Sequence, residues 1–138
     1  MIRSGEIRLN TKGFGDTIDI TDDVSKVVGE SEVADGLVTV FCPGSTGTIT
    51  TIEYESGVIR DLQRTLEKIA PADAKYEHNL RWGDGNGFSH VRAALLKPSL
   101  SIPLLEGKLV LGTWQQIVFI DFDNRERRRS IIVQIVGE

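Results

Sequence analysis

Polar and apolar residues alternate through the first twenty positions. "IRSGEIRLN" and "GDTIDIT" therefore read as two strands joined by the glycine-bearing turn "TKGFG". Thr21 precedes "DDVSKVVGES", where its hydroxyl can cap free amides and where Asp22 and Asp23 suit the positive helix end. That predicts a short helix with Val24, Val27 and Val28 inward. "GLVTVFC" and "TITTIEYE" are β-branched and bracketed by turn residues, so both are expected to be strands. In "SGVIRDLQRTLEKIAP", Ile59, Leu62, Leu66 and Ile69 recur at helical spacing and Pro71 marks the stop. "YEHNLRWGDGNGF" is too polar and glycine-rich for a core element and reads as an ordered loop. "SHVRAALLK" follows as a short helix with Ser89 at the cap. "SLSIPLLEGKLVLG" reads as two strands turned at Glu106-Gly107. "WQQIVFIDF" and "RRSIIVQIV" read as a final hairpin around "DNRE", apolar enough for burial on both faces.

The sum is an α+β fold of about eight mostly antiparallel strands and two or three helices, curled towards a barrel or sandwich. Leftover apolar faces, around Trp114 and "SIIVQIV", call for symmetric self-association. At 138 residues, with no repeat or linker, the chain is expected to be one domain, residues 1–138.

Composition narrows the function little. The chain is 40% hydrophobic and 26% charged, and its net charge of −4 argues against nucleic acid as a partner. No apolar run approaches membrane-spanning length, which points to a soluble cytoplasmic chain with no membrane partner. One cysteine excludes an intrachain disulfide, and Cys42 fits a small buried hydrophobe.

Four stretches hold more polar chemistry than a fold needs. "PGSTGTITTIEYE" offers Ser45, Thr46 and Thr48 between glycines, with Glu53 beyond. Such a loop can bring amides and hydroxyls to an anion, although a Thr-rich β-turn has the same composition. "HNLRWGDGNGFSH" carries the chain's two histidines, His78 and His90, around Asp84, Asn86 and Ser89. His90 is the better placed for acid–base work or, with Asp84, for a divalent metal such as Mg or Zn, whereas His78 suits a structural or surface role. "GTWQQ" places Thr113 and Gln115 beside Trp114, a core or interface anchor. In "NRERRR", strand alternation sends Arg127 or Arg129 inward, where a guanidinium needs a carboxylate or phosphate partner.

The stretch from "WGDGNGFSH" through "GTWQQ" to the terminal Arg-x-Arg resembles the C-terminal half of the YjbQ-like family, also called secondary thiamine-phosphate synthases. The resemblance implies a small α+β fold with a barrel-like sheet and a homotrimer with sites at its subunit boundaries. It also implies the joining of a pyrimidine diphosphate to a thiazole phosphate with release of pyrophosphate. Glu53, Asp84, Asn86, Ser89, His90, Thr113, Gln115 and Arg127 or Arg129 match the family's polar pattern. Catalysis is expected of Glu53, Asp84, His90 and Arg129. Substrate contacts are expected of Ser45, Thr46, Thr48, Asn86, Ser89, Thr113, Gln115 and Arg127. One departure stands out: Gly44 lies where the family commonly has histidine. The reading that follows is an enzyme on phosphate-bearing small molecules. The alternative is a trimeric metabolite- or metal-binding protein without turnover.

Overall fold

The computed structural model describes all residues, 1–138. Strands β1 (Ile2–Thr11), β2 (Asp16–Asp19), β3 (Gly36–Phe41), β4 (Gly47–Ile52), β5 (Ser99–Leu105), β6 (Lys108–Leu109), β7 (Gln116–Asp121) and β8 (Arg127–Gly137) form two sheets. The larger runs β1-β8-β3-β5-β6 and the smaller β2-β7-β4, and every pairing is antiparallel. Helices α1 (Thr21–Ser31), α2 (Ser56–Ile69), α3 (Glu77–Trp82) and α4 (Gly87–Leu96) complete the mixed α+β fold.

Period-2 patterning explains the layering. Ile7, Val38, Val40, Ile102, Leu104, Ile131, Val133 and Ile135 line the inner face of the curled larger sheet. They meet Ile49, Ile117 and Phe119 of the smaller sheet, and Val24 and Val28 of α1 join the same core. The smaller sheet's other face carries Val118 and Ile120, which pack with Phe122 against Leu66 of α2 and Ala93 of α4. Burial of β7 on both faces follows from this middle position. In β8 only Ile131, Val133 and Ile135 are fully buried, so its expected double burial is corrected to one face.

The expected β7–β8 hairpin does not form. β7 pairs with β2 and β4, whereas β8 pairs with β1 and β3. The same crossing between sheets occurs at β1–β2 and β3–β4. All three links (residues 12–15, 42–46 and 122–126) sit at one end, where Thr11 pairs Arg127 while Asp16 and Gly47 both pair Asp121. Main-chain bonds lace this corner: Phe14 N to Asp123 O at 2.7 Å, Gly15 N to Asp121 O at 2.7 Å and Phe122 N to Thr46 O at 2.9 Å.

Local chemistry departs from expectation in three more places. Thr21 is the first residue of α1 rather than its cap, and Asp19 just ahead of the helix accepts Thr21 N–H at 3.0 Å and Thr21 O–H at 2.7 Å. The freed Thr21 oxygen instead accepts Ile117 N–H at 2.9 Å, tying α1 to β7. The "EHNLRW" segment is helical rather than loop, ending at Gly83 with φ of 65°. Ser89 lies inside α4, which begins at Gly87.

Gly13 and Gly107 both adopt left-handed backbone, with φ of 73° and 76°. A Cβ at Gly13 would meet Arg125 O at 2.4 Å and Asp123 O at 2.6 Å, whereas one at Gly107 meets nothing. Gly107→Ala should cost only the left-handed penalty of about 1–2 kcal/mol. Gly13→Ala adds overpacking of about 1–3 kcal/mol at a backbone that cannot yield. Urea unfolding of the pair checks this, and equal losses would mean that the corner is not tightly closed.

Candidate functional site

At the crossing corner, the inward parity of β8 aims Arg127 and Arg129 at two aspartates, Asp121 at the end of β7 and Asp123 in the link beyond it. Asp121 is fully buried and receives Arg129 as a fork, Nε to Oδ2 at 2.8 Å and Nη2 to Oδ1 at 2.8 Å. Thr11 donates to Asp121 Oδ2 at 2.5 Å, and the Asp123 amide donates to Oδ1 at 3.0 Å. Hydrogen bonding to Asp121 raises the Arg129 pKa against the cost of burial. Asp123 Oδ2 accepts Arg127 Nη2 at 2.9 Å and Nε at 3.1 Å, and Thr46 O–H at 3.0 Å. Thr46 in turn accepts Arg129 Nη2 at 2.7 Å. Burial pushes the Asp123 pKa up, but bonds from Arg127 and Thr46 outweigh it and hold the carboxyl below its ordinary range. Asp123 Oδ1 is buried without a partner.

Above this network sits the α3–α4 turn. The rings of His78 and His90 lie 4.5 Å apart, and Asp84 Oδ1 is 3.5 Å from His78 Nδ1. Burial, then the neighbouring His78, lower the His90 pKa below its ordinary 6.5, with Asp84, Asp123 and the Ser45 main chain opposing. His90 is therefore uncharged at neutral pH. Asn86 is buried as a bracket, its Oδ1 accepting Ser89 O–H at 2.6 Å and Asn124 N–H at 3.2 Å. His90 walls a cavity of about 330 Å³ with Gly44, Ser45, Gly47, Ala93, Ala94 and Pro98. Gly44 has φ of 119°, and a Cβ there would lie 3.2 Å from Arg129 Nη1, the guanidinium nitrogen that neither Asp121 nor Thr46 engages.

The sequence candidates divide between two ends of the molecule. Ser45, Thr46, Asp84, Asn86, Ser89, His90, Arg127 and Arg129 gather at the corner. Thr48 is fully buried on β4, and its hydroxyl donates to the Lys97 carbonyl rather than facing the cavity. Glu53 follows the far end of β4, where Gln115 Nε2 donates to Thr51 Oγ1 at 3.2 Å. Thr113 and Trp114 are exposed there, Trp114 at 73%, so it is no core anchor in the single chain. Six residues of β4 separate this end from Gly47, roughly 20 Å at about 3.3 Å per residue. Within one chain Glu53 does not reach Asp84 and His90, so their convergence on one site requires a neighbouring subunit.

Asp121 and Asp123 were not among the sequence candidates. Their signal was present: carboxylates two apart inside an apolar run, followed by arginines two apart. No three His, Cys, Asp or Glu side chains are arranged to hold a metal ion, and no helix is long and apolar enough to cross a membrane.

Comparison with known proteins agrees with this fold. The family described as "UPF0047 protein YjbQ-like" matches residues 5–138. A UPF0047 protein of Archaeoglobus fulgidus is 39% identical over 127 residues, spanning 92% of this chain and 97% of that one. Another, from Methanothermobacter thermautotrophicus, is 40% identical over 133 residues, 96% and 91% of the two chains. Among solved structures, a YbjQ-like protein of unknown function from Sulfolobus solfataricus superimposes with TM-score 0.95 at 32% identity, covering 100% of this chain and 99% of that one. An uncharacterised YjbQ/UPF0047 protein from Clostridium acetobutylicum gives TM-score 0.88 at 41% identity, covering 96% and 99%.

Asp121→Asn keeps the shape but strands the Arg129 guanidinium in the interior. Unfolding free energy should fall by about 3–5 kcal/mol, as for a broken buried pair. Thr46→Ala removes one neutral bridge and should cost about 1–2 kcal/mol. Urea denaturation at pH 7 ranks the two, and an Asp121→Asn loss below that of Thr46→Ala would reverse the assignment.

Proposed function

The chain belongs to the UPF0047 (YjbQ-like) family, and we propose that it is an enzyme acting on small phosphate-bearing molecules at the crossing corner. The supporting observation is His90, uncharged at neutral pH, on the wall of the Gly44–Ser45–Gly47 cavity with His78 stacked beside it. An imidazole whose pKa is lowered from its ordinary value by burial and a neighbouring imidazole is ready to accept a proton when negative charge arrives beside it.

Charge decides what role the proton has. Asp121 and Asp123 pair with Arg129 and Arg127 while Asp84 faces His78, so the corner sets three formal negatives against two permanent positives. A phosphate entering this corner needs added positive charge. Its own field supplies part of the answer, because a nearby anion raises the pKa of His90 and recruits a proton onto it. Ser45 Oγ and Arg129 Nη1 are the remaining donors beside Gly44. Asp84 and His90 provide two donors for a divalent ion, which would complete its shell with phosphate oxygens and water, as Mg²⁺ does.

The reaction to test first is thiamine-phosphate synthase-like transfer. The thiazole nitrogen attacks the methylene carbon of the pyrimidine diphosphate, and the carbon–oxygen bond breaks with its electron pair leaving on pyrophosphate. Protonated His90 neutralises that departing charge. Purified protein given both phosphates should form thiamine phosphate, and His90→Asn should lower turnover by about 10²-fold or more while remaining folded. Product no higher than a mock preparation, with Mg or Zn added, refutes the transfer. A second reading rests on Gly44: with no side chain there, the cavity can hold a metabolite without turnover. Thermal stabilisation by phosphates without product would favour this binding role.

Assembly as a homotrimer is part of the proposal. Ile2, Leu37, Leu105 and Val136 are 64%, 45%, 56% and 52% exposed on the larger sheet's uncovered face, and Trp114 is exposed at the far end. A neighbouring subunit would cover such surface and bring Glu53 and Gln115 towards another chain's His90. Light scattering at micromolar concentration should give three times the chain's 15.2 kDa, and a single-chain mass refutes it.

A further inference from the structure

The outer face of the β1–β8 pair carries a second concentration of charge, on the opposite side of β8 from Arg127 and Arg129. Strand register places Arg8 opposite Ser130 and Asn10 opposite Arg128. Arg8 and Arg128 are therefore diagonal neighbours on one face, a spacing at which like charges repel. No carboxylate occupies either rung. Arg128 enters none of the chain's ion pairs, and Arg8 meets Glu6 only through Nε at 3.4 Å with 83% of its side chain exposed. Two adjoining surface cavities of about 410 and 390 Å³ share Asn10 and Arg128 as walls.

We propose that this groove is a binding site for a single phosphate or diphosphate group of a small molecule. Guanidinium forks match phosphate oxygens in pairs, and Asn10 adds an amide donor between them. An anion placed there relieves the repulsion that the two arginines otherwise bear. The ends of the groove set the size of its ligand. Glu6 closes one end, held by Ser130 O–H at 2.6 Å, and Glu126 lines the other. Between them lie two rungs of cationic surface, about 7 Å at strand spacing, and an extended polyanion such as RNA would run onto carboxylates at both ends. The groups that would hold the anion, Arg8, Asn10 and Arg128, are not those of the His90 corner, although Arg127 and Arg129 also border the two cavities.

Calorimetric titration with inorganic pyrophosphate at low salt tests it. Arg8→Ala and Arg128→Ala should each weaken binding about tenfold, one charge-assisted contact apiece. Arg125→Ala, which removes a nearby arginine outside the groove, should leave the affinity within about twofold. Glu6→Gln removes a repelling carboxylate and frees Arg8, so it should tighten binding several-fold, a gain that misfolding cannot produce. No binding by the unaltered protein, equal losses in Arg125→Ala and Arg128→Ala, or no gain in Glu6→Gln would each overturn the proposal.

Discussion

The buried fork between Arg129 and Asp121 is the interaction on which the corner depends. Three links carry the chain from one sheet to the other at the same end, and each must turn without leaving polar groups stranded. Asp121 answers for all three. It takes Thr11 from the end of β1 and two bonds from Arg129 of β8, while Arg129 reaches Thr46 in the β3–β4 link. A buried ion pair of this sort adds little stability over an apolar replacement of equal volume, because desolvating both ions offsets their attraction. Its effect is on specificity. A one-residue slip of β8 against β1 and β3 would turn both arginines to the outer face, away from the two aspartates.

That requirement also governs the chemistry left over. Arg127 and Arg129 stand where phosphate-binding arginines were expected, yet their forks are already filled by carboxylates. The corner is therefore not an open cationic pocket. What it retains is one guanidinium nitrogen beside Gly44, an exposed serine and two histidines. The groups with unmet demand differ in sign. Arg128 lacks an anion on the outer face and Arg8 meets only Glu6 there, whereas Asp123 Oδ1 lacks a donor inside. One strand start thus separates a surface inviting anions from an interior inviting protons or cations.

Helices and strands were legible because their signals are local. Ile59, Leu62 and Leu66 mark α2, and the β-branched runs mark β3 and β4. The turn at Glu106-Gly107 is as expected, with φ of 51° and 76° at its two residues. Sheet membership was not legible. "FIDFDNRERRRS" has the composition of a hairpin, and only the destination of the neighbouring strands shows that its arms belong to different sheets. The same non-local cause hid Asp121 and Asp123, since a carboxylate in an apolar run declares its role only when its partner is placed. The segment around Trp82 failed differently. Glycines at 83, 85 and 87 dominate its composition, yet they follow the helical turn and supply its left-handed stop rather than dissolving it. The gathering of His78, Asp84 and His90 could be suspected from their one segment, whereas the distance to Glu53 depends on the direction of β4.

The unpaired oxygen of Asp123 ties these threads together. An unsatisfied buried acceptor costs about 1–3 kcal/mol. It persists here because its sister oxygen is over-supplied, accepting from Thr46 and twice from Arg127. Moving Asp123 to satisfy Oδ1 would break those bonds, and with them the link between the β3–β4 and β7–β8 crossings. Asn86 is itself fixed, because its carbonyl oxygen holds Ser89 and the Asn124 amide at the head of α4. The sheets and the helix thus each hold a rigid side of the same small space, and His90 stands beside it. Its imidazole is kept uncharged by burial and by His78, while Asp84 and Asp123 draw a proton towards it. A site so balanced changes its protonation when one further charge arrives, and the rigidity of the crossing corner is what keeps that balance from relaxing away.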